Sequence, residues 1–87
     1  MKVRIKTLDQ LLATGARRES DGLIYGPIGS IGHLTGSDTK VLGKTATFLR
    51  KEVIYNAVKY RGVEYLIPNY AILTKKEIIN AFFTENH

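Results

Sequence analysis

The chain contains no cysteine and no tryptophan, and only two prolines and two histidines. The lack of cysteine excludes disulfides and thiolate metal ligands, and it fits a reducing compartment. His33 and His87 are too few and too far apart to build a zinc site by ligand spacing. No run approaches the roughly 20 apolar residues of a membrane-spanning helix. Met1-Lys2-Val3-Arg4 is basic, but no apolar segment follows it, so no signal peptide is expected. These absences predict a soluble cytoplasmic protein with no metal, no cofactor and no membrane partner.

What is present is a chain of 87 residues, the size of one domain with a modest core, read as a single unit over residues 1–87. Thirteen basic residues outnumber eight acidic ones, for a formal charge of +5. That balance favours acidic partners, whether nucleic acid, an acidic protein face or a membrane surface, beside the plainer reading of ordinary solubility.

The most patterned stretch is residues 53–73. Arg61-Gly62 separates two runs rich in β-branched and aromatic residues, the signature of a β-hairpin. A two-residue loop sets Tyr60 opposite Val63, Lys59 opposite Glu64 and Val58 opposite Tyr65. One face then gathers Ile54, Val58, Tyr60, Val63, Tyr65 and Ile67, with Asn56 as the polar exception. A slip of one residue scatters that set, so the pattern favours this register over a three-residue loop, Tyr60-Arg61-Gly62, which suits Gly62 as a left-handed bulge but breaks the face. Pro68 cannot donate to a ladder and marks the strand end. Asn69-Tyr70 reads as a corner before a closing strand over residues 71–73.

Upstream, Lys2, Arg4 and Lys6 alternate with Val3, Ile5 and Thr7, as in a strand whose basic face is either a stripe for phosphates or, the favoured reading, a solvated edge. Thr7-Leu8-Asp9-Gln10 is a capping box, and Leu8, Leu11 and Leu12 follow at helical spacing until Gly15. Arg17-Arg18 falls in a loop that Glu19 and Asp21 partly neutralise. A short strand is expected over residues 22–25. Residues 26–36 form a glycine-rich loop, with Ile28, Ile31 and Leu34 expected to pin it to the core. Ser37 is expected to cap a turn of helix that Gly43 ends. Residues 45–49 read as a strand and Arg50-Lys51-Glu52 as the turn into the hairpin. Thr74-Lys75-Lys76-Glu77 is a second capping box, followed by an apolar stripe of Ile78, Ile79, Phe82 and Phe83. It predicts a C-terminal helix over about residues 75–84. That stripe must be covered, either by the rest of the chain in a monomer or by a second copy in a homodimer.

No catalytic constellation emerges. Ser20, Ser30 and Ser37 lack a nucleophile elbow. His33 and Asp38 sit five apart in a glycine-rich loop with no third group to fix their geometry. Gly43-Lys44-Thr45 lacks the earlier glycine of a phosphate-binding loop and precedes a strand where that motif precedes a helix. The expectation is a non-enzymatic protein without catalytic residues.

The order VRIKT-x-x-QLL, then Leu42-Gly43-Lys44-Thr45, then a strand pair ending in Tyr65-Leu66-Ile67-Pro68 resembles small phage-encoded barrels of the SH3-like type related to the MIB/HERC2 domain. The likeness covers about residues 2–73. It implies a mainly β fold with short helices: a small SH3-like β-barrel carrying the C-terminal helix outside the likeness. It also implies a binding module in a phage-infected host cytoplasm, acting as an accessory protein that binds or inhibits a host protein. The alternative is weak, non-specific nucleic-acid binding through basic loops. Candidate binding residues for either partner are Arg17, Arg18, Lys44, Arg50, Lys51, Tyr60, Arg61 and Tyr70.

Overall fold

The hairpin forms in the expected register. In the computed structural model, which describes residues 1–77 and 79, β6 (Tyr55–Tyr60) pairs with β7 (Val63–Pro68). Tyr60 faces Val63, Lys59 faces Glu64 and Val58 faces Tyr65. Val58 and Ile67 are fully buried. Arg61 and Gly62 both take positive φ, 50° and 80°, which is the two-residue turn whose twist matches the strands. Asn56, the polar residue on the apolar face, is buried but satisfied. Its amide donates to the Ile67 carbonyl at 3.1 Å and to Asn69 Oδ1 at 2.8 Å.

The fold around it is mainly β with short helices. β1 (Lys2–Arg4), β5 (Thr45–Glu52), β6 and β7 form a four-stranded antiparallel sheet in that order. β2 (Arg17–Arg18), β3 (Ile24–Tyr25) and β4 (His33–Leu34) form a second sheet. Beyond β7, a 3-10 turn over Asn69–Ala71 carries the chain back to β1. There Ile72 bridges Ile5, and the Leu73 N–H donates to the Arg4 carbonyl at 2.8 Å. The expected closing strand is thus a single bridge, because the 3-10 turn consumes the residues that would lengthen it.

α1 (Leu8–Ala13) begins at the expected capping box. The Gln10 N–H donates to Thr7 Oγ1 at 3.1 Å, and the Thr7 N–H donates to Gln10 Oε1 at 2.9 Å. Leu11 is fully buried by it. The core joins Ile5, Leu11, Ile24, Leu34, Val41, Val58 and Ile67, contributed by both sheets, α1 and a 3-10 turn over Asp38–Val41.

Several expectations are corrected. Arg17-Arg18 is a strand, not a loop, because β3 supplies its pairing partner. His33-Leu34 is a strand inside the glycine-rich segment. Of the three residues expected to pin that segment, only Leu34 is buried; Ile28 and Ile31 point to solvent. Arg50, Lys51 and Glu52 extend β5, with a bulge at Leu49, and the turn falls on Val53-Ile54. Ser37 makes no side-chain cap. Thr35 and Asp38 cap the 3-10 turn Asp38–Val41 instead, with the Thr35 N–H donating to Asp38 Oδ2 at 2.8 Å. Lys6 leaves the basic face and is buried, where it pairs with Glu77 at 3.0 Å. Thr74 and Glu77 form the second capping box, and residues 75–77 are helical. Ile79 is exposed, whereas Ile78, Phe82, Phe83 and the remainder of the expected helix lie outside the described residues.

Two predictions follow from this architecture. Val53 is β-branched, exposed, and held at φ 51°, a conformation that favours asparagine. Val53→Asn should raise unfolding free energy by about 1 kcal/mol in urea titrations; an unchanged or lower midpoint would refute this. The second concerns Glu77. Burial raises its pKa, but the Lys6 ammonium and the Thr74 N–H and hydroxyl outweigh that and hold it below the ordinary value of 4.5. The stabilisation it supplies is therefore complete above that ordinary value and is lost as pH falls through the lowered one. The Thr74 amide resonance should titrate with Glu77, and Glu77→Gln should abolish the titration.

Candidate anion-binding cleft

One end of the four-stranded sheet gathers the end of β1, the start of β5, the end of β6 and the start of β7. Gly43 enters it at φ 77°, and its N–H lies 3.1 Å from the carbonyls of both Ile5 and Lys6. A Cβ there would press on the Thr7 methyl at 3.2 Å. This close approach delivers Lys44, whose carbonyl accepts the Ile5 N–H at 2.9 Å and whose own N–H donates to Val41 at 3.0 Å. The buried Val41 anchors the preceding turn and leaves Lys40 exposed beside it. Across the gap stand Tyr60, Arg61, Val63 and Tyr65 from the hairpin.

These six residues line a cleft of about 280 Å³. Its polar chemistry is two ammonium groups, one guanidinium and two phenols. No carboxylate lines it. The Arg61 guanidinium lies 5.5 Å from the centre of the Tyr60 ring, a cation–π distance. Tyr60 and Tyr65 are half-buried, each packed against the core on one side. The cleft therefore offers fixed aromatic surfaces beside positive charge. Among the described residues, Lys40, Lys44 and Arg61 form no ion pair.

Lys44, Tyr60 and Arg61 of the expected set come together here. The others do not. Arg17 is held by Glu19 at 2.6 Å and by the Gly26 carbonyl at 3.2 Å, with its guanidinium 5.6 Å from the Tyr25 ring centre. Arg18 is exposed on the small sheet. Arg50 forks between Glu52 and Glu64, at 2.8 Å from each, and holds the Glu64 carboxyl below its ordinary range. The Lys51 ammonium bonds Asn56 and Asn69 at the corner. Tyr70 is structural. Its hydroxyl lies 3.1 Å from the Ile24 carbonyl and 3.2 Å from that of Gly32, and burial pushes its pKa up to about 12.

Lys40 and Tyr65 also line the cleft, outside the expected binding set. Lys40 sits in the 3-10 turn and Lys44 beyond it, so no helical spacing signals that they share a cleft. Tyr65 faces Val58 in the hairpin and so reads as core; only its place near the barrel end leaves it accessible. The catalytic pair drawn from His33 and Asp38 does not form. The His33 ring neighbours Tyr25, with centroids 6.0 Å apart, and the Asp38 carboxylate is engaged by Thr35.

No family model, curated protein or solved structure matches the chain.

Proposed function

We propose that this chain is a non-enzymatic binding module whose cleft takes single-stranded nucleic acid, weakly and without sequence preference. The observation that carries the reading is the pairing of Tyr60 and Tyr65 with Lys40, Lys44 and Arg61 in one concavity free of carboxylates. Every base has an aromatic face that can stack on a tyrosine, and every phosphate suits a lysine or arginine, so the combination is sequence-tolerant. The volume lies at the small end of ligand sites, enough for one base and its phosphate and not for an extended peptide. A protein partner, which the resemblance to phage-encoded barrels implies, is better served by an apolar groove than by rings set among cations. Attack chemistry finds no support in the cleft, whose lining offers neither a histidine nor a carboxylate as general base.

Fluorescence anisotropy with labelled oligo(dT) and oligo(U), against a duplex of equal length, tests the reading. Single strands should bind in the micromolar range or weaker at physiological salt, about 10⁻⁴–10⁻⁶ M, and lose affinity as salt rises. Tyr60→Ala and Tyr65→Ala should each weaken binding about 5- to 150-fold, the range of one stacked base. Absence of binding at 50 mM salt would overturn the proposal.

Arg61 supplies a sharper prediction. It occupies a left-handed turn position that asparagine fills with less strain. Arg61→Asn should therefore stabilise the fold by about 1 kcal/mol while weakening oligonucleotide binding. A variant that is more stable and binds equally well would remove Arg61 from the site.

A further inference from the structure

The outer face of the four-stranded sheet carries cations that the cleft does not use. Strand register sets Lys2 opposite Thr47, and Thr47 opposite Lys59. The next row toward the cleft sets Arg4 opposite Thr45. Lys2, Arg4 and Lys59 are exposed, and the Lys2 ammonium donates to Thr47 Oγ1 at 2.9 Å. Val3 and Ala46, which alternate with them, turn inward. Rows two residues apart lie about 7 Å from each other, and Lys2 and Lys59, two strands apart, lie about 10 Å from each other.

This face joins the cleft without a break. Thr45 follows Lys44 directly, and Arg61 continues β6 two residues beyond Lys59. On the far side the face ends in negative charge. Glu64 stands opposite Lys59 and, with Glu52, is bound to Arg50, so that corner carries two carboxylates against one guanidinium. A polyanion leaving the cleft is attracted over β1, β5 and β6 and repelled from the corner around Arg50.

We infer that a polynucleotide seated in the cleft runs on across this sheet face, its phosphates neutralised by Arg4, Lys2 and Lys59. The inference rests on the reading of the cleft as a single-strand site. It adds a footprint: six cations in contact with phosphate, three in the cleft and three on the sheet.

Salt dependence counts those contacts. For single strands, the logarithm of affinity falls with the logarithm of salt concentration by about 0.7 per phosphate neutralised. Three contacts give a slope of about −2, and six give about −4. Between 50 and 200 mM salt the first loses about 20-fold in affinity and the second about 300-fold.

The experiment is anisotropy of a labelled 12-nucleotide oligo(dT) across that range, with the parent chain and with a Lys2→Gln, Arg4→Gln, Lys59→Gln variant. The expected slope is about −4 for the parent and about −2 for the variant. Lys59→Glu alone, checked by circular dichroism, guards against a folding defect in the triple variant and should lower affinity most at low salt, making the slope shallower than the parent's. A labelled mononucleotide, too short to leave the cleft, should show the same shallow slope with both proteins. A parent slope near −2 that the triple variant leaves unchanged would overturn the footprint while the cleft reading stood. Absence of binding to any oligonucleotide would overturn both. Equal slopes and affinities for polyglutamate would mean an acidic protein partner and overturn the polynucleotide.

Discussion

The structure depends on closure of the main sheet around Ile5. This side chain is wholly buried, and its backbone is engaged on both edges. On one side its N–H and carbonyl meet Lys44 and Gly43; on the other it bridges Ile72. The flanking Lys6 N–H donates to the Ala71 carbonyl at 2.8 Å. An 87-residue chain without disulfides has few ways to hide sheet edges, and the Ile72 bridge with the Leu73 bond covers the β1 edge. The buried Ile, Leu and Val side chains around Ile5 each contribute roughly 1.5–3 kcal/mol by leaving water. The same backbone bonds place Lys44 at the mouth of the cleft, at the best-supported end of the main sheet.

Two turns show where local preference yields to something else. Arg61 and Val53 both stand in the left-handed region, where neither residue type is favoured. At Arg61 the strain coincides with a guanidinium held over Tyr60 at the edge of the cleft, which gives the residue a reason to be there. At Val53 no contact in the cleft compensates, and the side chain is 91 % exposed. The two positions form a natural comparison: the same asparagine substitution relieves strain at both, but removes a cation from the site at only one.

The sequence made the hairpin legible because a period of two selects the register and a proline marks its end, although Gly62 alone suits a three-residue loop better. Both capping boxes were legible because their partners lie three residues apart. The two-residue strands Arg17–Arg18 and His33–Leu34 were not legible, since so short a run has no period and owes its pairing to distant chain. Arg50 and Lys51 were misplaced because the bulge at Leu49 shifts the phase of β5 and conceals that the strand continues. Ile28 and Ile31 were read as anchors on hydrophobicity alone, which does not reveal that only Leu34 reaches the core. The site was half legible for a similar reason. Tyr60 and Arg61 are neighbours at a turn tip, but Lys40 and Tyr65 join them only through the fold. Arg50 dropped out because its carboxylate partner Glu64 lies 14 residues away.

The +5 charge is therefore not spread evenly. Ion pairs engage Lys6, Arg17 and Arg50 through Glu77, Glu19, Glu52 and Glu64. Lys40, Lys44 and Arg61 in the cleft, with Lys2, Arg4 and Lys59 on the outer face, share one region of the main sheet and have no such partners among the described residues. Adjacent strands and rows separate neighbours on that face by about 5–10 Å, which is comparable with the screening length at physiological salt, about 8 Å. Neighbouring cations there reinforce one another, whereas charges on opposite ends of the barrel do not. Folding thus converts a modest excess of basic residues into a local field. Register contributes to this at Lys59, where the facing Glu64 is bound to Arg50, and at Lys2 and Arg4, which face threonines.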